Sequence, residues 1–205
     1  MKHIRPAIAF TLFFIVFAGL AFPAVVYGLA QMLFPNQANG SFVKDSKGNV
    51  VGSSLIAQGF TKPEYFHPRP SAAGNGYDAT NSGGTNLGPT SDKLFNGVHD
   101  PKNPSGDFDG VKDLAVKYRT ENLLAADAPV PPDAVTRSAS GLDPDISIEN
   151  AQLQVKRIAL ARGIQPDQVT KAISDHTVNG FAGIYGDPHV NVLELNLALD
   201  KMMGH

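Results

Sequence analysis

The 205 residues suffice for one ordinary globular domain with a short additional segment, which excludes a large multidomain machine. Only 18% of the residues are charged and the formal net charge is −2, which excludes a basic nucleic-acid-binding protein. The chain contains no cysteine, which excludes disulfide scaffolds, thiol nucleophiles, iron–sulfur clusters and zinc sites that need cysteine ligands.

Residues 6–34 are predicted to form a transmembrane helix. No charged side chain occurs between residues 6 and 43, and residues 7–34 are mostly apolar. A helix of that length, rising ~1.5 Å per residue, more than covers a hydrocarbon core ~30 Å thick. A cleaved secretory signal is the alternative, but its apolar part normally covers only about 7–15 residues. We therefore expect an uncleaved anchor.

The charges on either side of this helix predict its orientation. Lys2 and Arg5 come just before it, whereas the next basic residue after it is Lys44. Because positive flanks stay in the cytoplasm, we expect residues 1–5 to be cytoplasmic and residues 35–205 to form an extracytoplasmic domain.

Small residues and a proline inside the helix suggest contact with another helix. Ala24 and Gly28 are spaced so that a partner helix could approach closely, and Pro23 removes one backbone hydrogen bond. Such residues are also common in membrane helices that have no partner, so both interpretations stay open.

The rest of the chain predicts a single α+β domain. Two β-prone runs, residues 40–43 and 49–55, flank a turn at residues 45–48, and a long loop covers residues 61–104. Helical spacing predicts three further helices. The first covers residues 109–125. The second covers residues 147–163, with Ser147 as its N-cap and Gly163 as its C-terminal end, and the third begins at Pro166. Residues 191–202 fit a strand or a helix, and the Asn191 cap favours the helix.

No catalytic or metal-binding motif occurs in the sequence. A phosphate-binding loop would need Gly-Lys-Ser or Gly-Lys-Thr, a hydrolase elbow would need GxSxG, and neither is present. The acidic residues at 107–109 and 143–145 do not continue into an EF-hand loop. One helix alone cannot build an ion-selective pore. We therefore expect no catalytic residue, no metal site and no directly bound cofactor.

The long loop carries the residue types that favour protein contacts. Arg69 lies between two prolines, aromatic side chains occur at Tyr65, Phe66 and Tyr77, and Gly83 with Gly84 allows close backbone approach. An equally good interpretation is that the aromatics only hold the loop on the domain, with Arg69 paired to Asp78. An anchored extracytoplasmic hydrolase would instead use Asp78, Arg69 and Ser82, and a binding module is a third possibility.

Several motifs resemble those of the KdpC family, which belongs to the Kdp-type potassium-transporting ATPases. The matching segments follow the family's order along nearly the whole chain, although Ala57 and Thr85 depart from its usual residues. The segments are QANGS at 37–41, GSSLIAQ at 52–58, YFHPRPSA at 65–72, SGGTNL at 82–87, SASGLD at 138–143 and VNVLELNLALD at 190–200.

The resemblance implies a non-catalytic accessory subunit of a high-affinity, ATP-driven potassium uptake complex in the cell inner membrane. Its partners would be a channel-like potassium-binding subunit, a P-type ATPase subunit, a small membrane subunit and membrane lipid. ATP and K⁺ would be handled by those partners. The family is also described as a catalytic chaperone that raises the ATP affinity of the hydrolysing subunit, and an extracytoplasmic domain could do so only through membrane contacts. The predicted partner interface comprises Ala24, Gly28, Gln58, Tyr65, Phe66, Arg69, Ser71, Tyr77, Asp78, Gly83, Gly84 and Asn86.

Overall fold

The computed structural model describes residues 3–45, 47–180 and 185–203. The chain divides into two compact units, Met1–Phe42 and Val43–His205, and we call the second the C-terminal domain. Lys2, whose charge was used to predict orientation, and Ser46, in the predicted turn, lie outside the described residues.

The first unit is dominated by one apolar helix. It runs from Ile4 to Leu33 and is long and apolar enough to cross a membrane, as the sequence predicts. It consists of α1 (Ile4–Val16), a π-helical segment (Phe17–Ala21) and α2 (Phe22–Leu33). Residues 4–26 of this helix are all exposed within the chain. A helix whose side chains face lipid needs no such burial, because its backbone hydrogen bonds are satisfied internally.

The π-helical segment lies directly before Pro23. Because proline has no N–H, the carbonyl of Gly19 cannot receive its usual donor four residues along the helix. The N–H of Phe22 donates to the Phe17 carbonyl, five residues back, so the hydrogen-bond register changes at this point. A π-helical turn therefore accommodates Pro23 within the helix itself.

A β-hairpin follows the apolar helix and the short turn α3 (Pro35–Ala38). Its strands are β1 (Phe42–Lys44) and β2 (Val50–Ser53), which confirms the predicted hairpin. The Asp45 N–H donates to the Asn49 carbonyl at 2.9 Å, and the Gly48 N–H donates to the Asp45 carbonyl at 3.1 Å. Gly48 has a φ of +85°, which glycine adopts without the steric cost of a Cβ.

The C-terminal domain contains a three-stranded antiparallel sheet that the sequence analysis did not predict. Its strands are β3 (Asp145–Ser147), β4 (Thr177–Val178) and β5 (His189–Asn191), with β5 in the middle. Ile146 pairs with Val190, and Thr177 also pairs with Val190. Strands of two or three residues are too short to show an alternating pattern in the sequence.

Helices supply most of the regular secondary structure described in the domain, and the predicted ones are confirmed with shorter bounds. Ser147 caps α7 (Ile148–Arg162) by accepting the Asn150 N–H at 3.1 Å, and Gly163 ends this helix in the left-handed conformation. Asn191 caps the last helix, which settles the ambiguity between strand and helix. The helices are α4 (Asp92–Asn96), α5 (Val111–Glu121), α6 (Pro132–Val135), α7 (Ile148–Arg162), α8 (Pro166–Asp175) and α9 (Val192–Met202).

The core lies between the sheet and the apolar faces of α7, α8 and α9. Each helix contributes buried apolar side chains to this core, for example Ile158, Ile173 and Leu199. The central strand contributes Val190. Phe66 from the long loop is fully buried in the same cluster. The loop is thus part of the core, and it also contains the short helix α4.

The Ser147 cap provides a test of this architecture. Its Oγ accepts the Asn150 N–H and donates to Asp133 Oδ1 at 3.0 Å, so Ser147→Ala removes both bonds. We expect the free energy of unfolding of the full chain in detergent to fall by about 1 kcal/mol in denaturant titrations. Ser174→Ala, at an exposed position of α8, is the control and should change stability little. Equal stability of the two variants would contradict the assigned cap.

Candidate functional site

A buried arginine holds the start of the long loop against α7. Arg157 is only 5% exposed. Its Nη1 donates to the carbonyls of Pro63 and Tyr65 at 2.6 and 2.8 Å. Its Nε donates to Asn122 Oδ1 at 3.0 Å, and Nη2 donates to Gln154 Oε1 at 2.8 Å. Each guanidinium nitrogen thus has an acceptor, as a buried cation requires.

Two buried amides bind the backbone of the next loop residues. Asn196 accepts the Phe66 N–H at 2.7 Å and donates to the Phe66 carbonyl at 3.0 Å. Gln154 does the same for His67, at 2.8 and 3.1 Å. These pairs replace the backbone partners that a strand would provide, so the segment can lie in the core without secondary structure.

Tyr65 faces an ion pair between α7 and α9. Its hydroxyl donates to Asp200 Oδ2 at 3.2 Å, and Arg162 Nη2 donates to Asp200 Oδ1 at 2.8 Å. Arg162 Nε also donates to the Glu64 carbonyl at 2.6 Å. Burial is the main cause that raises the pKa of Tyr65, and the charge of Asp200 is the second. The hydroxyl therefore stays protonated and serves as a donor.

Arg69 pairs with Asp143, not with Asp78. Its Nη1 donates to Asp143 Oδ2 at 2.8 Å, and Nη2 lies 3.4 Å from Thr136 Oγ1. Asp78 instead accepts hydrogen bonds from the hydroxyl and the N–H of Thr80. The Arg69–Asp78 pairing considered in the sequence analysis is therefore wrong, because Asp78 is already used in its own turn.

Ser71 and Tyr77 fold the middle of the loop into a compact turn. The Ser71 hydroxyl accepts the Tyr77 N–H at 2.9 Å and donates to the Gly141 carbonyl at 2.6 Å. The Tyr77 hydroxyl donates to the Arg69 carbonyl at 2.8 Å. Burial raises the pKa of Tyr77 to about 12, so this donor keeps its proton.

Gly83 and Gly84 pass close to another surface, as expected, but that surface belongs to the same chain. The Gly83 N–H donates to the Ser140 carbonyl at 2.9 Å. A Cβ at Gly84 would lie 2.6 Å from the Ala139 carbonyl oxygen, so a larger residue would push the two segments apart. Ser82, one of the hydrolase candidates, donates its hydroxyl to the Ser140 carbonyl.

The remaining predicted interface residues are distributed over both units. Gln58 donates to the Val51 carbonyl at 2.7 Å within the C-terminal domain. Asn86 is exposed and has a φ of +55°. Ala24 and Gly28 are exposed in α2, with open space around Gly28. A partner contact at any of these residues stays a prediction.

Sequence analysis missed the residues that organise the loop. Arg157, Gln154 and Asn196 lie on helices 87 to 130 residues away from their loop partners. The available signal was a run of polar residues on the apolar faces of two predicted helices. A polar side chain on such a face is buried only when it has a partner.

An open groove lies beside Arg157. Its volume is about 610 Å³, and Phe60, Pro63, Leu123, Leu160 and Ala161 supply its apolar surface. Leu160 is 73% exposed, although it lies within α7. Leu123 is 46% exposed and has a φ of +58°, which is costly for a residue with a branched side chain. The groove is an exposed apolar surface of the kind that marks protein contacts.

Three ionisable side chains, His67, Glu121 and Arg157, form the polar end of this groove. His67 Nδ1 lies 2.5 Å from Glu121 Oε1, and Arg157 Nε lies 3.6 Å from the same oxygen. Burial disfavours the charged form of Glu121, but the hydrogen bond from His67 and the neighbouring positive charges outweigh it and lower its pKa. Glu121 is therefore a carboxylate at neutral pH.

His99 and two aspartates are the group that most resembles a metal site among the described residues. The nearest ligand atoms of His99, Asp109 and Asp113 lie within 4.8 Å of one another. However, Asp113 Oδ2 already accepts from His99 Nε2 and the Gly110 N–H, and Asp109 pairs with Lys117. The carboxylates are thus used in ion pairs and in capping α5.

Arg157 should be the most sensitive residue of the loop contacts. Arg157→Met leaves the Pro63 and Tyr65 carbonyls and the Asn122 amide without their donor, so we expect a loss of about 3 kcal/mol in the free energy of unfolding. Limited proteolysis should also cleave residues 59–64 faster. Lys156→Met, at the exposed neighbouring position of α7, should leave both measurements unchanged. An unaltered cleavage rate in Arg157→Met would contradict the role of Arg157.

His99 should titrate with a dependence on Asp113. The hydrogen bond that His99 donates to Asp113, with the charges of Asp113, Asp107 and Asp109, raises the pKa of His99 above its ordinary value. Its stabilisation is therefore complete below about pH 6.5 and is lost as the pH rises through the raised value. In Asp113→Asn, NMR should show the His99 midpoint falling toward 6.5, whereas Asp127→Asn should leave it in place. An unchanged midpoint in Asp113→Asn would refute the assignment.

Comparison with known proteins identifies the family. The sequence model of the family described as "K+-transporting ATPase, c chain" matches residues 4–201. A "Potassium-transporting ATPase KdpC subunit" of Caulobacter sp. (strain K31) is 50% identical over 200 residues, which cover 98% of this chain and 94% of the relative. The protein of the same name from Mycobacterium tuberculosis (strain ATCC 25618 / H37Rv) is 47% identical over 201 residues, covering 98% and 99%. The chain therefore belongs to the KdpC family of potassium-transporting ATPase subunits.

Proposed function

We propose that this chain is a non-catalytic subunit that holds together the channel-like and ATP-hydrolysing subunits of a potassium-importing ATPase. Family membership over nearly the whole chain is the observation that carries this proposal. One apolar helix provides a membrane segment, and the long loop is held in place through its backbone. An ordered loop suits a docking subunit because less conformational entropy is lost on binding.

The proposed orientation places the N-terminus in the cytoplasm and the C-terminal domain outside the cell inner membrane. Arg5 and the absence of charge from residue 6 to residue 43 support it. In that orientation the domain cannot reach cytoplasmic ATP. ATP and K⁺ would then be bound by the partner subunits, and any rise in ATP affinity would pass through contacts inside the membrane.

The apolar groove is the surface that we assign to the channel-like subunit. Leu160 and Leu123 present apolar side chains to solvent beside a rigid, hydrogen-bonded segment. Burial of such side chains by a partner would stabilise the complex, because apolar surface is removed from water.

A strain lacking this chain should lose ATP-driven potassium uptake, and the wild-type chain should restore it. Leu160→Asp places a carboxylate in the groove, so its burial on docking becomes unfavourable. We expect recovery of the channel-like subunit in pull-downs from detergent-solubilised membranes to fall by at least about tenfold, the equivalent of ~1.4 kcal/mol.

Val116→Asp is the matched control, because Val116 is 62% exposed on α5 and does not line the groove. It should retain both uptake and copurification. Undiminished uptake without the chain would reject the proposed function. Normal copurification of Leu160→Asp would reject the groove as the docking surface while leaving the function intact.

A further inference from the structure

The segment after the apolar helix folds back onto the end of that helix. The side chains of Gln31 and Asn39 exchange two hydrogen bonds, at 3.3 and 3.1 Å. The Ser41 N–H donates to the Asn36 carbonyl at 3.0 Å. Because Gln31 belongs to the last turn of α2, the chain has moved little beyond the end of the helix when it reaches Ser41.

The residues that follow carry exposed apolar and basic side chains. Phe42 is 56% exposed, and Val50 is 55% exposed although it lies in a strand. Lys44 and Lys47 are exposed as well. The only described acidic group among them, Asp45, accepts the N–H groups of Lys47 and Asn49 and is thus occupied within the turn. We call residues 42–50 the membrane-proximal hairpin.

Covalent geometry limits how far this hairpin can lie from the bilayer. Three extended residues from Ser41 to Lys44 span at most about 10 Å. The headgroup layer adds roughly 5–8 Å on each side of the hydrocarbon core. The long lysine side chains can extend further toward phosphates. The start of the hairpin is therefore held within reach of the headgroups on whichever side of the membrane it lies.

We propose that the membrane-proximal hairpin rests on the lipid surface and recognises anionic headgroups. Phe42 would lie at the interface, where aromatic rings are favoured, and Lys44 and Lys47 would contact phosphates. The occupant of this exposed face is the bilayer in which the chain is anchored. The inference requires the apolar helix to span a membrane, but it is independent of the proposed role in the pump.

The natural absence of cysteine makes the test direct. A fluorophore is attached to Val50→Cys in the full chain, which is placed in nanodiscs of phosphatidylcholine alone or mixed with phosphatidylglycerol. Nitroxide-labelled headgroups should quench this fluorophore, more strongly when phosphatidylglycerol is present. Val116→Cys, at a residue 62% exposed on α5, is the control and should be quenched much less.

The charge of the hairpin is tested by adding Lys44→Glu and Lys47→Glu to the Val50 reporter. Each lysine near an anionic surface contributes about fivefold to the ratio of bound to unbound hairpin, so the phosphatidylglycerol-dependent quenching should largely disappear. Lys156→Glu with Lys171→Glu, on α7 and α8, changes the net charge equally and should preserve it. The proposal would be overturned if quenching did not depend on phosphatidylglycerol. It would also be overturned if quenching appeared only when partner subunits were present.

Discussion

The guanidinium of Arg157 is the constraint on which the rest of the C-terminal domain depends. A cation removed from water is tolerated only when acceptors surround it, and here those acceptors come from three separate parts of the chain. Two are loop carbonyls, one is the Asn122 amide beyond α5, and one is Gln154 on the same helix. Satisfying one buried charge therefore fixes α5, α7 and the long loop relative to one another.

This arrangement explains how an extended segment without regular structure can belong to the core. Phe66 is fully buried, yet its N–H and carbonyl both bind Asn196. Further along, Ser71 and Tyr77 close the loop on itself and on Gly141. Side-chain amides and hydroxyls thus take the part that strand partners play elsewhere. Contacts within the chain therefore fix the shape of this surface, in agreement with the docking role proposed above.

The membrane helix and the segment after it are stabilised by local interactions. The helix needs no tertiary partner within the chain, because its backbone hydrogen bonds are satisfied internally and lipid covers its side chains. Pro23 disturbs this pattern only locally, through a π-helical turn. At the other end, the Gln31–Asn39 pair holds the connecting segment at the level of the last turn. The apolar helix and the connecting segment after it thus form their own hydrogen bonds within the first unit.

The sequence by itself determined the features that depend on neighbours along the chain. Composition predicts the apolar helix, and the Ser147, Gly163 and Asn191 signals predict where two helices begin and one ends. Only the tertiary structure decided the partners of the loop. Arg69 selects Asp143, 74 residues away, and Arg157 reaches Pro63 across 94 residues. The strands of the sheet are equally beyond local prediction, because pairing of so few residues is stabilised by the packed core around them. Periodicity and capping residues depend on interactions between residues that are close in sequence. The partner of a buried polar side chain comes from a distant part of the chain, so it is determined only by the tertiary structure.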